Sequence, residues 1–183
     1  MSWTRVFKPD ATEECEWALP VDDAGYELFR GLYGAPRGDG WKPLAMQLLK
    51  HVERGRRLGR ADFPWYGTQV IILRKEAVER LRPLLLEAGE VLPLACEEAE
   101  LWLWNVTNVV DALDYERSKI VRFPSSGRIM DIREHVFRPH LLGSQPAFKL
   151  PGWLPIYLGS RFVDEVTASG LTGLKFKQVW GAS

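Results

Sequence analysis

The chain has 183 residues, with 24 Lys and Arg against 24 Asp and Glu, so its formal charge is zero. That length suits one domain with a real core, and the lack of a charge surplus argues against nucleic acid or membrane as a partner held by bulk charge. Two cysteines, Cys15 and Cys96, without CxxC spacing argue against a disulfide framework or a zinc ribbon.

The N-terminal stretch MSWTRVFKPD has no apolar run of the kind a secretory signal needs. Nowhere do apolar residues approach the roughly 18 needed for a membrane span. A reducing cytoplasm is the expected location, and the Asn105-Val-Thr sequon then carries no meaning. Charge is unevenly spread. Seven acids stand between Pro9 and Phe29 without a Lys or Arg, and five bases stand between Lys50 and Arg60 against one acid, Glu53. Such patches are either solvated faces, which can meet each other, or a recognition surface.

Residues 22–32 read as a helix. Asp22 or Asp23 caps it, Tyr26, Phe29 and Leu32 share a face, and Gly34 stops it. PRGDG (36–40) is a turn. Pro43 then opens a second expected helix whose stripe is Leu44, Leu48, Leu49 and Val52. The basic stretch from Glu53 to Arg60 is an exposed loop. Residues 1–61 are therefore expected to be mainly helical, and 62–183 to form an α+β core.

In that core TQVIIL (68–73) is a buried strand. RKEAVERLRPLLLEAG follows as a helix with Val78, Leu81, Leu85 and Ala88 on one face. Pro83 is expected to bend or divide it, and Gly89 to end it before a strand over 90–94. Leu101–Trp104 reads as a strand covered on both faces, with Trp102 and Trp104 pointing the same way. Asn105, Asn108, Asp111 and Asp114 then recur at every third position, fitting neither strand nor helix. The strand is expected to leave its sheet near Asn108 and enter a turn at DALDYERS, with Asp111 and Asp114 bonding local N–H groups.

From Ser125 to Trp153 short extended pieces alternate with turns. LPIYL (154–158) is a strand, and Ser160 is the expected cap of a helix bearing Phe162, Val163 and Val166. Gly170 stops that helix, and LKFKQVW (174–180) is the last strand. Strand, helix, glycine and strand thus occur twice, an architectural echo too short to count as a repeat. The expected class is α+β, a single domain (1–183) with a mixed, mostly antiparallel sheet flanked by helices.

Chemistry is hard to find. His51, His135 and His140 occur in no metal-ligand or HExxH spacing. A nucleophile set of Cys96, a histidine and an acid is possible in any fold, so a small hydrolase using His135 or His140 stands as an alternative. Asp111-x-x-Asp114 could pair on a metal, but turn formation accounts for it. No glycine pattern makes a phosphate cradle, and sheet packing accounts for Trp102 and Trp104 better than base stacking does. No catalytic, metal or cofactor residue is assigned.

Three segments in order, VIILRKEAVERLRPLLLEAGEVLPL (70–94), LWLWNVTNVVDALDYERSK (101–119) and YLGSRFVDEVTASGLTGLKFKQVW (157–180), resemble the eleventh immunity-protein family of bacterial polymorphic toxin systems, a myxobacterial-type family. Asn105, Asp111, Ala112, Leu113, Asp114, Ser118, Gly170, Gly173, Leu174 and Phe176 carry the likeness, which spans 62–180. A sister family with a similar C-terminal end has paired CxxCG motifs, which this chain lacks. The resemblance implies a cytoplasmic antidote: a protein that binds and neutralises a cognate toxin, without catalysis, cofactor, nucleic acid or membrane. It makes Asn105, Asp111, Asp114, Ser118, Gly170 and Gly173 framework. Partner choice is expected where the family pattern is absent, at Glu13, Glu14, Glu16, Arg54, Arg56, Arg57 and Trp65. An adaptor for a secretion apparatus is the third reading.

Overall fold

The computed structural model describes residues 5–181; the reading at Met1–Thr4 lies outside them. In chain order the elements are β1 (Val6–Ala11), β2 (Trp17–Pro20), α1 (Asp23–Arg30), β3 (Met46–Leu49), β4 (Ile71–Arg74), α2 (Lys75–Ala88), β5 (Gly89–Leu94), β6 (Leu101–Val106), β7 (Lys119–Arg122), β8 (Ile129–Glu134), α3 (Pro139–Leu142), β9 (Ala147–Phe148), β10 (Tyr157–Gly159), α4 (Ser160–Ser169) and β11 (Leu174–Trp180).

The α+β class holds. Among the described residues there are four sheets in place of one mixed sheet, ordered β11-β1-β10-β9, β2-β3, β4-β6-β5 and β7-β8, and every strand pair in them is antiparallel. Parallel pairing is confined to isolated bridges such as Cys15 to Gly59 and Ala45 to Ala95.

The echo seen in the sequence has a structural counterpart. In β4-α2-β5 the two strands run parallel with β6 inserted antiparallel between them. In β10-α4-β11 the inserted strand is β1, which comes from the far end of the chain. Both are split β-α-β units. Their helices share one core: Ile71 and Leu73 of β4, Leu81 and Leu85 of α2, Trp104 of β6, Leu158 of β10, Phe7 of β1, and Phe162 and Val166 of α4. The Trp104 ring stacks on Phe162 at 5.0 Å, and its Nε1 donates to the Leu85 carbonyl at 2.9 Å. This buries a large aromatic without orphaning its N–H.

The opposite face of the β6 sheet is covered too. Leu101 and Leu103 pack with Ala18, Phe29, Met46 and Leu92. Covering on both faces explains the unbroken apolar run LWLW, with Trp102 and Trp104 on one side and the leucines on the other. A third cluster of Val6, Ile132, Phe137, Phe148 and Tyr157 seats the β7-β8 hairpin, which as two strands alone would be marginal.

The N-terminal part departs from expectation. Among described residues up to 61 there is one α-helix and there are three strands, so this part is not mainly helical. The first helix forms as read, with the Asp22 carboxylate accepting from the Gly25 N–H at 2.9 Å. The second does not: 46–49 is β3, paired with β2. Met46 and Leu48 alternate with exposed Gln47 and Leu49, a period of two that the helical stripe masked, and pairing with β2 decides between them. Two smaller corrections concern helices. Pro83 lies on the exposed side of one continuous α2. Ser160 is the first residue of α4, behind Gly159 as N-cap, and its Oγ is buried without a partner.

Lys149 is also buried. Its Nζ donates to the carbonyls of Leu32 and Gln69, tying the end of α1 to the core. Burial holds its pKa down to about 8.

Candidate functional site

The acidic turn and the basic loop of the N-terminal part are neighbours. Gly59 N–H donates to the Glu14 carbonyl at 2.7 Å, and Glu16 N–H donates to the Gly59 carbonyl at 2.8 Å. The loop is a narrow excursion closed by Val52 N–H to Arg56 O at 3.0 Å, with a 3-10 turn over Glu53–Gly55 at its tip. Arg54 there has φ 65°, the left-handed region that a side-chain-bearing residue seldom adopts. Glu13, Glu14, Arg54, Arg56 and Arg57 are all exposed, and among the described residues none makes an ion pair within 4 Å. The two segments meet through their backbones while their charges face solvent.

Two of the residues expected in that surface do not belong to it. Glu16 is 3% exposed. Its Oε1 accepts from Arg74 Nη2 at 2.6 Å, from Arg74 Nε at 3.1 Å and from the Ala61 N–H at 3.1 Å. Trp65 is 8% exposed, with its backbone paired to Glu16 and Ala18. Both are building residues. Glu16 continues the in-and-out alternation of β2, and Trp65 is bridged beside it from a distant segment, so both fall inside through long-range pairing, which composition cannot reveal.

The residues of the family likeness sit at joints. Asn105 is buried, and its Nδ2 donates to the Ala35 carbonyl and to Glu90 Oε2, both at 3.0 Å. Glu90 also accepts from the N–H groups of Arg37 and Gly38. Burial works against this carboxylate, yet the Arg37, Asn105 and Gly38 hydrogen bonds together hold its pKa below the ordinary value. Asp114 Oδ1 accepts from the N–H groups of Glu116 and Arg117, closing the turn. Ser118 Oγ donates to the Val136 carbonyl and accepts the Val136 N–H. Asp111 accepts from the Tyr115 hydroxyl and lies 3.6 Å from Arg138.

The turn from Gly170 to Gly173 docks on a residue that the sequence does not mark. Asp62 Oδ2 accepts from Thr172 N–H at 2.8 Å and from Thr172 Oγ1 at 3.0 Å. Gly170 ends α4 in the left-handed region. No local signal links positions 110 residues apart.

The histidines and Cys96 do not converge. Cys96 lines an open groove of about 1160 Å³ with Val21, Met46, Glu98 and Trp102. His135 lines a different one, of about 770 Å³, with Lys8, Asp131 and Lys177. His140 is exposed on α3. Among the described residues no group of three His, Cys, Asp or Glu side chains could hold a metal, and no helix is long and apolar enough to cross a membrane.

His135 is 9% exposed, and its Nε2 lies 2.9 Å from the Tyr157 hydroxyl. Trp153 Nε1 donates to that same oxygen at 3.2 Å. The hydroxyl proton therefore points to Nε2, which assigns the ring a neutral, accepting role there. Burial, with Lys8 and Lys177 against Asp131, pushes its pKa down to about 4. The folded protein then binds fewer protons than the unfolded chain between pH 6.5 and 4. Stability is expected to fall as pH drops through that window, by about 3 kcal/mol in all. Urea melts at pH 7.0 and 5.0 check this: His135→Gln should lose clearly less than the parent between the two, and equal losses would refute the assignment.

Residues 95–180 match the model of an immunity protein family (Imm11). No curated protein matches the chain. The match takes in the second and third of the three segments behind the likeness and covers just under half of the chain. Over that stretch it bears out the resemblance to immunity proteins.

Proposed function

We propose, from the immunity-protein match over residues 95–180, that this chain is a cytoplasmic immunity protein. It neutralises a cognate bacterial toxin by binding it stoichiometrically, without making or breaking bonds. The family match is the observation that carries the reading. The geometry supports it in two ways. The candidate nucleophile and the histidines line separate depressions or lie exposed. Glu13, Glu14, Arg54, Arg56 and Arg57 present unpaired charge from two adjacent segments, the kind of surface that steers and selects a protein partner.

Co-expression tests the reading. The open reading frame beside this gene is induced in a test host with and without this protein. Toxicity abolished by co-expression, with a one-to-one complex on co-purification, is the expected outcome. Turnover of a small substrate by the purified protein, or protection without a complex, would overturn it. Within the same assay, joint reversal of Arg56 and Arg57 to Glu should weaken the complex about tenfold, measured by calorimetry, while leaving the melt unchanged.

A further inference from the structure

Strands β1 and β11 have one face in the shared core, through Phe7, Leu174 and Phe176. Side chains alternate along a strand, so Lys8, Asp10, Lys175 and Lys177 stand on the other face. The register places Lys8 opposite Lys177 and Asp10 opposite Lys175. Toward its Val6 end this face is covered by the third cluster, to which α3 contributes Leu142. At one end the β7-β8 hairpin rises over it, leaving the groove of about 770 Å³ lined by Lys8, Asp131, Arg133, His135 and Lys177.

The groove's charges are not equivalent. Each acid already has a local use. Asp10 accepts the Ala11 N–H, Asp131 accepts the Ile132 N–H, and Glu134 is bound by Lys119. The bases have none: Lys8, Lys177 and Arg133 make no ion pair and no side-chain hydrogen bond among the described residues. Lys8 is half-buried, and that burial lowers its pKa. A partly desolvated ammonium with open donors is costly until an anion meets it. The depression is open to solvent, and most of its lining comes from two sheets, β1 with β11 and β8. At its other end β1 runs directly into the acidic turn, where the Cys15 N–H donates to the Thr12 carbonyl at 3.1 Å.

We infer that this groove is a second contact for the toxin, seating an acidic loop whose carboxylates are held by Lys8 and Lys177, with Arg133 at the rim. The inference rests on the immunity reading and names the chemistry of the partner. A protein loop fits better than a nucleic-acid phosphate chain, because Asp10, Asp131 and Glu134 interrupt the basic track and the chain has no net positive charge.

The test is a calorimetric titration of the full-length protein with the purified product of the toxin reading frame beside its gene. Lys8→Glu and Lys177→Glu should each weaken binding about 10- to 100-fold, with Lys8→Arg within about threefold. Lys75→Glu, on the exposed start of α2, is the control and should not matter. Circular-dichroism melts must match the parent. Binding by the parent that both reversals leave within twofold would overturn the groove and spare the immunity reading. No binding by the parent would overturn both. Binding of a labelled single-stranded oligonucleotide by the parent, lost in Lys8→Glu, would replace the acidic loop with phosphate and so overturn the inference.

Discussion

Glu16→Ala is expected to cost the fold about 3–5 kcal/mol, the penalty for breaking a buried ion pair on one side. Among the described residues the carboxylate is the sole hydrogen-bond partner of Arg74 Nη2 and Nε, and it also takes the Ala61 N–H. Its removal leaves a guanidinium whose side chain is 13% exposed facing an empty site, and it unties β2 from the β4-α2 junction. Glu16→Gln keeps an acceptor in place and should cost visibly less. Glu13→Ala and Glu14→Ala, at exposed neighbours, should stay within about 0.5 kcal/mol. Urea melts of the four variants decide it. Glu16→Ala that melts like the parent, yet loses its partner, would return Glu16 to the recognition surface.

Gly173→Ala should be nearly as damaging, at about 3–5 kcal/mol, from two independent sources. Its φ is 106°, which an L side chain resists at about 1–3 kcal/mol. An added Cβ would also lie 2.5 Å from the Phe63 carbonyl and 2.7 Å from the Ala61 Cβ, an overpacking that adds about 1–3 kcal/mol. The turn cannot slide away, because Thr172 is held by Asp62 on three hydrogen bonds. Gly170→Ala meets no atom within 4 Å, so it should carry only the left-handed penalty, about 1 kcal/mol. Thermal melts of the two variants separate steric closeness from backbone conformation. Equal losses would mean that the Phe63 approach is unimportant.

What the chain determined by itself was local. The Asp22 cap, α2 with its apolar face, the LWLW strand covered on both sides, the turn at Asp114, and the strand-helix-glycine-strand ending could each be read because neighbours in sequence are neighbours in space. The family likeness was legible as motifs, but only part of it is local: Asp114 closes a turn and Gly170 ends a helix, whereas Asn105 and Ser118 bond residues far from them in sequence. In the Pro43–Val52 segment Leu44 and Leu48 fit a helical period near four, while Met46 and Leu48 fit a strand period of two; only the β2 edge breaks that tie.

Tertiary structure alone decided everything that depends on residues far apart. It inserted β1 between β10 and β11 to complete the second split unit, turned Glu16 and Trp65 inward, and paired Asp62 with Thr172. It also laid Lys8 beside Lys177 under a hairpin. A side chain's exposure and its partner are set by strand register and by which sheet face meets the core, and both are products of long-range pairing. A pattern of residue types along the chain carries the period of an element but not the identity of what lies across from it.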